Sequence, residues 1–488
     1  MSNARDYYAL LGVLRDASQE EIKRAYYEAA RRLHPDTNRA PGETEFFLDI
    51  QKAYEVLSNP KRRAEYDQTL PKADTPSLPV NVQVQYSRPN LVRMNEPQLV
   101  YVQLDVRPRQ QTDKIPAPPL NVCLVLDRST SMKDAKMDLL KAAAIQVLKS
   151  LRPEDIFSVV TFSDRADVVI PASYQVDTKR IESQIRMIQP SGATELYQGL
   201  EAGLEQVRRS RDPSRLNHLI LLTDGHTYGD EQACLNLAAE AAVQQIGISG
   251  MGIGADWNDT FLDELAGRTG NTSQYIARPQ DIQRILSEKF NELTRVFSEE
   301  VTLDYTPTAG ADAAYAFRLQ PETGPLKIEN PLRLGPILQD THLSILFEFL
   351  VQPAALNTDL LRILEGHLKV AIAARPTPLP PMRLQFSRDV GAEAGTDPPP
   401  ITIIQALSRL TLYRMQERAR NEVQSGNYEG ATRSLKNLAS HLLAQGHQGL
   451  AHTVMLEMEN VQRQQAFSSS GEKDIKYGTR ALIMTEGM

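Results

Sequence analysis

Leu120-Asn121-Val122-Cys123-Leu124-Val125-Leu126 runs directly into Asp127-Arg128-Ser129-Thr130-Ser131-Met132. A nearly continuous apolar run of this length reads as a strand buried on both faces, as in parallel sheets. Open α/β sheets bind ligands beyond the carboxyl ends of their strands, and here that end carries oxygen donors. Asp127, Ser129 and Ser131 alternate along the turn, so their side chains can converge on one point. Oxygen donors with few charges suit Mg²⁺, which keeps part of its water shell and prefers octahedral geometry.

Working outward, short apolar runs at Ile156–Phe162, Leu216–Thr223 and Ile246–Ile253 alternate with helical stretches at Asp134–Ser150, Leu196–Arg209 and Asp230–Gln245. That alternation, continuing to about Ser298, predicts a doubly wound parallel sheet over residues 119–298. On either side the period changes to two. Val80, Val82, Val84 and Tyr86, then Val100, Val102, Leu104 and Val106, alternate around a turn signal at Pro89-Asn90, and a proline-rich break at 116–119 follows. Val301, Leu303 and Tyr305 alternate too, as do Leu343, Ile345, Phe347 and Phe349, with Leu361–Ala374 a further strand. Residues 80–118 and 299–388 are therefore expected to close one β-sandwich in which the α/β unit is inserted or which flanks it.

Asp127-x-Ser129-x-Ser131 resembles the motif of von Willebrand factor A domains, and later segments follow the family's order. Thr194, in Ser191-Gly192-Ala193-Thr194, matches its loop threonine, and Asp224, in Leu221-Leu222-Thr223-Asp224-Gly225, its second aspartate. Gly252-Ile253-Gly254-Ala255-Asp256-Trp257-Asn258 through Leu265-Ala266 looks like the late part of bacterial members. The resemblance implies a metal-ion-dependent adhesion site. Ser129, Ser131 and Thr194 would contact Mg²⁺, Asp127 and Asp224 would largely hold its waters, and a partner's carboxylate would fill the open position. Taken singly, the aspartates would serve as helix caps and the serines as turn residues. A metal bound there could also serve only to stabilise the fold.

Residues 5–69 are dense in helix signals. Ser18 and Glu21 form a capping box; Ile22, Ala25, Tyr26, Ala29 and Leu33 share one face. Arg24, Tyr27 and Arg31 share the other, flanked by Lys23 and Arg32. The helix is expected to stop at His34-Pro35-Asp36, and a second helix carries Phe47, Ile50, Tyr54 and Leu57. Asp6-Tyr7-Tyr8, Leu11-Gly12-Val13, His34-Pro35-Asp36, Lys52-Ala53-Tyr54-Glu55-Val56-Leu57 and Tyr66-Asp67 together resemble a J-domain in order and spacing. The resemblance implies docking to a DnaK-type chaperone and stimulation of its ATPase through His34, Pro35 and Asp36 with Lys23, Arg24, Tyr27 and Arg31. Guanidinium groups on an exposed face would set on-rate and register against an acidic partner surface. Tyr27-Glu28 departs from many J-domains, whose basic run continues past the helix tyrosine, and this weakens the patch.

At 488 residues the chain is long enough for three or four domains. A net charge of -7 argues against general nucleic-acid binding. The two cysteines, Cys123 and Cys234, read as reduced core residues. No signal-peptide core or membrane-length apolar run is seen, so the expected location is cytoplasmic. Residues 70–79 and 389–400 read as linkers, 401–465 as a small helical bundle, and 466–488 as a flexible tail whose apolar patch at Ala481–Met484 either docks or is disordered. The hairpin begun by Gly426-Asn427-Tyr428 is faintly like one helical-repeat unit.

No Walker loop, His-Glu-x-x-His pair or Cys-x-x-Cys occurs, and His226 reads as a loop residue, so catalysis is not expected. The reading is an adaptor with a chaperone-recruiting end and a metal-dependent end for an acidic residue of a protein client. The alternative is a non-catalytic scaffold subunit alongside an AAA+ ATPase.

Overall fold

The computed structural model describes residues 7–11, 13, 19–33, 43–69, 79–109, 116–174, 177–225, 229–375 and 378–484. The chain opens with helices α1 (Tyr7–Leu11), α2 (Gln19–Leu33), α3 (Glu43–Leu57) and α4 (Pro60–Thr69). The apolar face foreseen for α2 is the packed one. Ile22 is buried with Ile50, Ala53 and Leu57 of α3, and the Tyr26 and Tyr54 rings stack 4.1 Å apart. Tyr8 closes the helical unit by donating to Asp67 at 2.6 Å and accepting from Arg63 at 2.9 Å. Burial, then the Asp67 bond, pushes its phenol up to about 12.

Strands β1 (Val80–Tyr86), β2 (Leu91–Val92) and β3 (Gln98–Pro108) follow. Then come β4 (Leu120–Asp127), α5 (Ala135–Lys149), β5 (Ile156–Phe162), β6 (Ala166–Ser173), α6 (Thr178–Arg186), α7 (Leu196–Arg209) and β7 (Leu216–Thr223). The α/β unit is completed by α8 (Glu231–Val243), β8 (Ile246–Ile253), α9 (Asp259–Gly267), β9 (Ser273–Ile276) and α10 (Ile282–Leu293). Its sheet has the order β6-β5-β4-β7-β8-β9. Every residue of β4 is buried because each face meets a helix layer. Leu120, Val122, Leu124 and Leu126 pack toward α5, α6 and α10, whereas Cys123 and Val125 pack toward α7, α8 and α9. One correction applies. The sheet is mixed, because β6 pairs antiparallel with β5 at the edge. As an edge strand it is partly exposed along most of its length, so it lacks the continuous apolar run that marks the inner strands.

The chain then forms β10 (Val296–Pro307), β11 (Ala311–Gln320), β12 (Gly324–Pro325), β13 (Leu332–Leu338), β14 (Leu343–Val351), β15 (Leu360–Ala371) and β16 (Met382–Gly391). Two five-stranded sheets result, ordered β1-β3-β14-β11-β12 and β13-β10-β15-β16-β2. The α/β unit is thus inserted between β3 and β10 of a sandwich whose inner faces share one apolar core. Pro89-Asn90 is more than a hairpin turn. It leads into β2, which crosses to the second sheet and pairs parallel with β16. Asn90 also pins the stretch after β16, accepting from Gly395 N–H and donating to the Glu393 carbonyl.

Helices α11 (Ile401–Gln424), α12 (Tyr428–Ala444), α13 (Gln448–Gln464) and α14 (Ser469–Met484) end the described chain. Here the expectation of a flexible tail fails. α14 is an ordered helix with Ile475, Ile483 and Thr479 buried, and it docks on α9 and β9. Two of its cations face Asp259 and Asp263. Lys476 bonds Asp259 and lies 2.7 Å from Asp263, Arg480 reaches Asp263 at 2.5 Å, and Arg420 of α11 reaches Asp259 at 3.0 Å. Trp257 is buried beside Tyr275 and Tyr477, with the Lys473 ammonium over its ring. Among the described residues no helix is long and apolar enough to cross a membrane.

Candidate functional site

The sheet reverses its winding at β4, which has β5 on one side and β7 on the other. This is the switch point at which such sheets leave a crevice beyond their carboxyl ends. Asp127 ends β4, and Asp224 follows the last residue of β7. Both are buried.

Hydrogen bonds link Asp127, Ser129, Ser131 and Asp224 in sequence. Ser129 N–H donates to Asp127 Oδ1 at 2.8 Å, and the Ser129 and Ser131 hydroxyls are 2.9 Å apart. Ser131 in turn donates to Asp224 Oδ1 at 2.5 Å. Ser129 makes no side-chain cap bond to the 3₁₀ turn Thr130–Met132. Thr194 is brought up by a loop stitched to the β4 turn, where Ser191 N–H donates to the Arg128 carbonyl and Thr130 N–H to that of Gly192. A Cβ placed on Gly225 would lie 3.1 Å from Thr194 Oγ1, so this hydroxyl packs on the Asp224-Gly225 turn. Gly192 has φ +80, and an added Cβ there would meet the Asp164 carboxylate at 2.4 Å. Asp164 instead accepts from Ala193 N–H at 2.7 Å and holds the loop.

Asp127, Ser129, Ser131, Thr194 and Asp224 therefore meet at one place. Three further residues were not foreseen. Thr223 donates to Asp127 Oδ2 at 2.6 Å, and Arg128 bridges Ser191 and Asp167. Lys136, in the first turn of α5, reaches Asp224 Oδ2 at 2.5 Å. Thr223 could have been found from its place at a strand end beside Asp224; the Lys136 contact has no local signal. Burial is the main force raising the Asp127 carboxyl, the Thr223 and Ser129 bonds oppose it, and the Asp224 charge adds to the rise.

In the helical N-terminal unit, Lys23 and Tyr27 are exposed on α2, Tyr27 by 59 %. Arg24 and Arg31 lie on the same helix, but their side chains, like all of His34, Pro35, Asp36 and His226, lie outside the described residues.

Comparison with known proteins agrees with this division. Residues 6–67 match the DnaJ domain, 121–289 the von Willebrand factor type A domain, and 401–485 the Sll0103-like, C-terminal alpha-helical domain. An uncharacterized protein, sll0103, from Synechocystis sp. is 25% identical over 331 residues, covering 66% of this chain and 78% of that protein. A DnaJ chaperone of Trichormus variabilis is 58% identical over 69 residues, which is 14% of this chain and 18% of the chaperone. The chain thus spans less than a fifth of that chaperone's length. Among solved structures, a von Willebrand factor type A protein from Catenulispora acidiphila superposes with TM-score 0.66 at 14% identity, covering 82% of this chain and 96% of that one. The ArnB paralog VWA2 from Sulfolobus acidocaldarius gives TM-score 0.52 at 17% identity, covering 83% and 99%. At these identities the structural likeness speaks for the fold. The chain carries a DnaJ domain and a von Willebrand factor A domain, followed by a helical C-terminal domain.

Proposed function

We propose that the protein is a non-catalytic adaptor with two docking ends, acting in the cytoplasm. At one end the J-domain recruits a DnaK-type chaperone and stimulates its ATPase through His34, Pro35 and Asp36, with Lys23, Arg24, Tyr27 and Arg31 of α2 as the electrostatic contact. The support is the DnaJ match over residues 6–67, with α2 displaying Lys23 and Tyr27 to solvent.

At the other end, Asp127, Ser129, Ser131, Thr194 and Asp224 hold Mg²⁺, which when bound offers a Lewis-acidic position to an acidic residue of a protein partner. The observation that carries this reading is the bonded chain from Asp127 to Asp224. Ser131 gives its proton to a carboxylate, which leaves hydroxyl lone pairs for a cation. Two carboxylates and three hydroxyls are a hard, low-charge donor set, as Mg²⁺ prefers.

Two experiments test the ends separately. His34→Gln should abolish stimulation of a DnaK-type ATPase, and unchanged stimulation would remove the chaperone role. Mg²⁺ should raise the melting temperature of the wild-type chain and leave Asp127→Ala unmoved, because a ligand bound only to the native state stabilises it by mass action. A wild-type chain indifferent to Mg²⁺ would end the metal reading.

A further inference from the structure

The second carboxylate of the site is already paired with a cation from the chain itself. Lys136 Nζ lies 2.5 Å from Asp224 Oδ2 and 3.3 Å from the Ser131 carbonyl oxygen. The Asp224 side chain is fully buried and that of Lys136 is 30% exposed, so the ammonium covers the carboxylate from the solvent side on a stem that can leave.

The lysine holds this place against local electrostatics. It sits in the first turn of α5, where the helix dipole disfavours a cation. Asp134 before the helix makes no side-chain cap bond and adopts φ 59, and Asp138 is the acidic residue of the same turn. What offsets the dipole is the pairing with Asp224, whose other oxygen takes the Ser131 hydroxyl. Both oxygens of Asp127 are likewise used, by Ser129 N–H and Thr223. Both carboxylates are therefore satisfied within the chain. A divalent cation drawn to Ser131 and Asp224 would meet the ammonium at close range, where like charges repel.

We propose that Lys136 is a tethered counter-ion that closes this site in the metal-free chain and is displaced when a divalent cation enters. The proposal rests on the metal reading above. Lys136 thereby sets the cation affinity, keeping it weak, while the five donors set which cation fits. It also supplies the charge that lets Asp224 remain buried before metal arrives.

The test is calorimetric titration of the full chain with Mg²⁺ and with Mn²⁺, using wild type, Lys136→Met and Lys136→Gln, together with their metal-free melting temperatures. Both neutral variants should bind the metals about tenfold more tightly than wild type, since one unit of positive charge has left the cation's immediate neighbourhood. Both should melt below wild type without metal and recover when it is added. Lys136→Arg, which keeps the charge, should bind no more tightly than wild type. Equal or weaker binding by both neutral variants, with wild type binding, overturns the displacement and leaves the metal reading intact. Binding by the neutral variants where wild type shows none would be its strongest form. Absence of binding in every chain removes the metal reading and the displacement with it. Lys136→Gln guards against a methionine that perturbs the first turn of α5.

Discussion

Asp263→Asn is the sharpest probe of how the C-terminal helices are held. Asp263 of α9 accepts from Arg480 at 2.5 and 2.9 Å and lies 2.7 Å from Lys476. The side chains of Arg480 and Lys476 are only 6% and 4% exposed. Asparagine keeps the volume but leaves two buried cations short of a counter-charge, and breaking such a pair costs about 3–5 kcal/mol. Some of this is recovered, because Lys476 retains Asp259 and Arg480 retains the Tyr413 hydroxyl. The lower end, about 3 kcal/mol, is therefore expected, or roughly a hundredfold rise in the undocked population of α14.

Trp257 is the only tryptophan and reports directly on the event. It is buried, with the Tyr477 ring 6.0 Å away. The variant should show red-shifted emission at a lower denaturant concentration than wild type, with hydrogen-exchange protection lost first in peptides of α14. Glu205→Gln, which breaks an exposed pair with Arg209, is the control and should change stability by less than about 0.5 kcal/mol. Unchanged protection of α14 in Asp263→Asn would refute the reasoning. The pH dependence follows with a definite sign. Burial alone would raise both carboxyls, but Lys476 and Arg420 hold Asp259 low, and Arg480 and Lys476 hold Asp263 lower still. Stability from a depressed carboxylate is full above its unfolded pKa of about 3.9 and is lost as pH falls through the folded value. The helix should therefore remain docked at pH 5 and release only in stronger acid.

Two other outcomes are expected. Glu299, beside the junction of the α/β unit and the sandwich, is pushed up to about 7 by burial and by the Glu300 charge, with Arg211 opposing. The folded state then holds a proton that the unfolded state has released above about pH 4.3, so stability falls as pH rises from there through 7. Glu299→Gln should accordingly raise the melting temperature at pH 8 and leave it nearly unchanged at pH 5; equal shifts at both would discount the assignment. Gly252→Ala should lower stability by about 1–3 kcal/mol. Its Cβ would fall 1.9 Å from the Trp257 ring, which is wedged against Tyr275 and Tyr477. An unperturbed melting curve and unchanged Trp257 fluorescence would count against that packing.

Much of the architecture was written locally. Period-two and period-3.6 patterns reflect one-sided burial and need only neighbouring residues, so the strands around Val82 and Val102, the helix bearing Ile22 and the buried run Leu120–Leu126 could all be read directly. The five oxygen donors were legible for a related reason, since strand ends in an open sheet are where side chains meet, and resemblance supplied Thr194 and Asp224. Local pattern said little about partners far along the chain. β3 pairs with β14, joining Val102 to Phe347 across the whole inserted unit, and no periodicity names that mate. The same limit explains the misreading of the last helix. Lys476 and Arg480 have no local partner to mark them as buried until α9, some two hundred residues earlier, sets Asp259 and Asp263 against them. Lys136 is the smallest case. Its sequence position marks only the start of a helix, and the fold alone places its ammonium on Asp224, because a Coulombic contact depends on distance in space and leaves no trace in spacing along the chain.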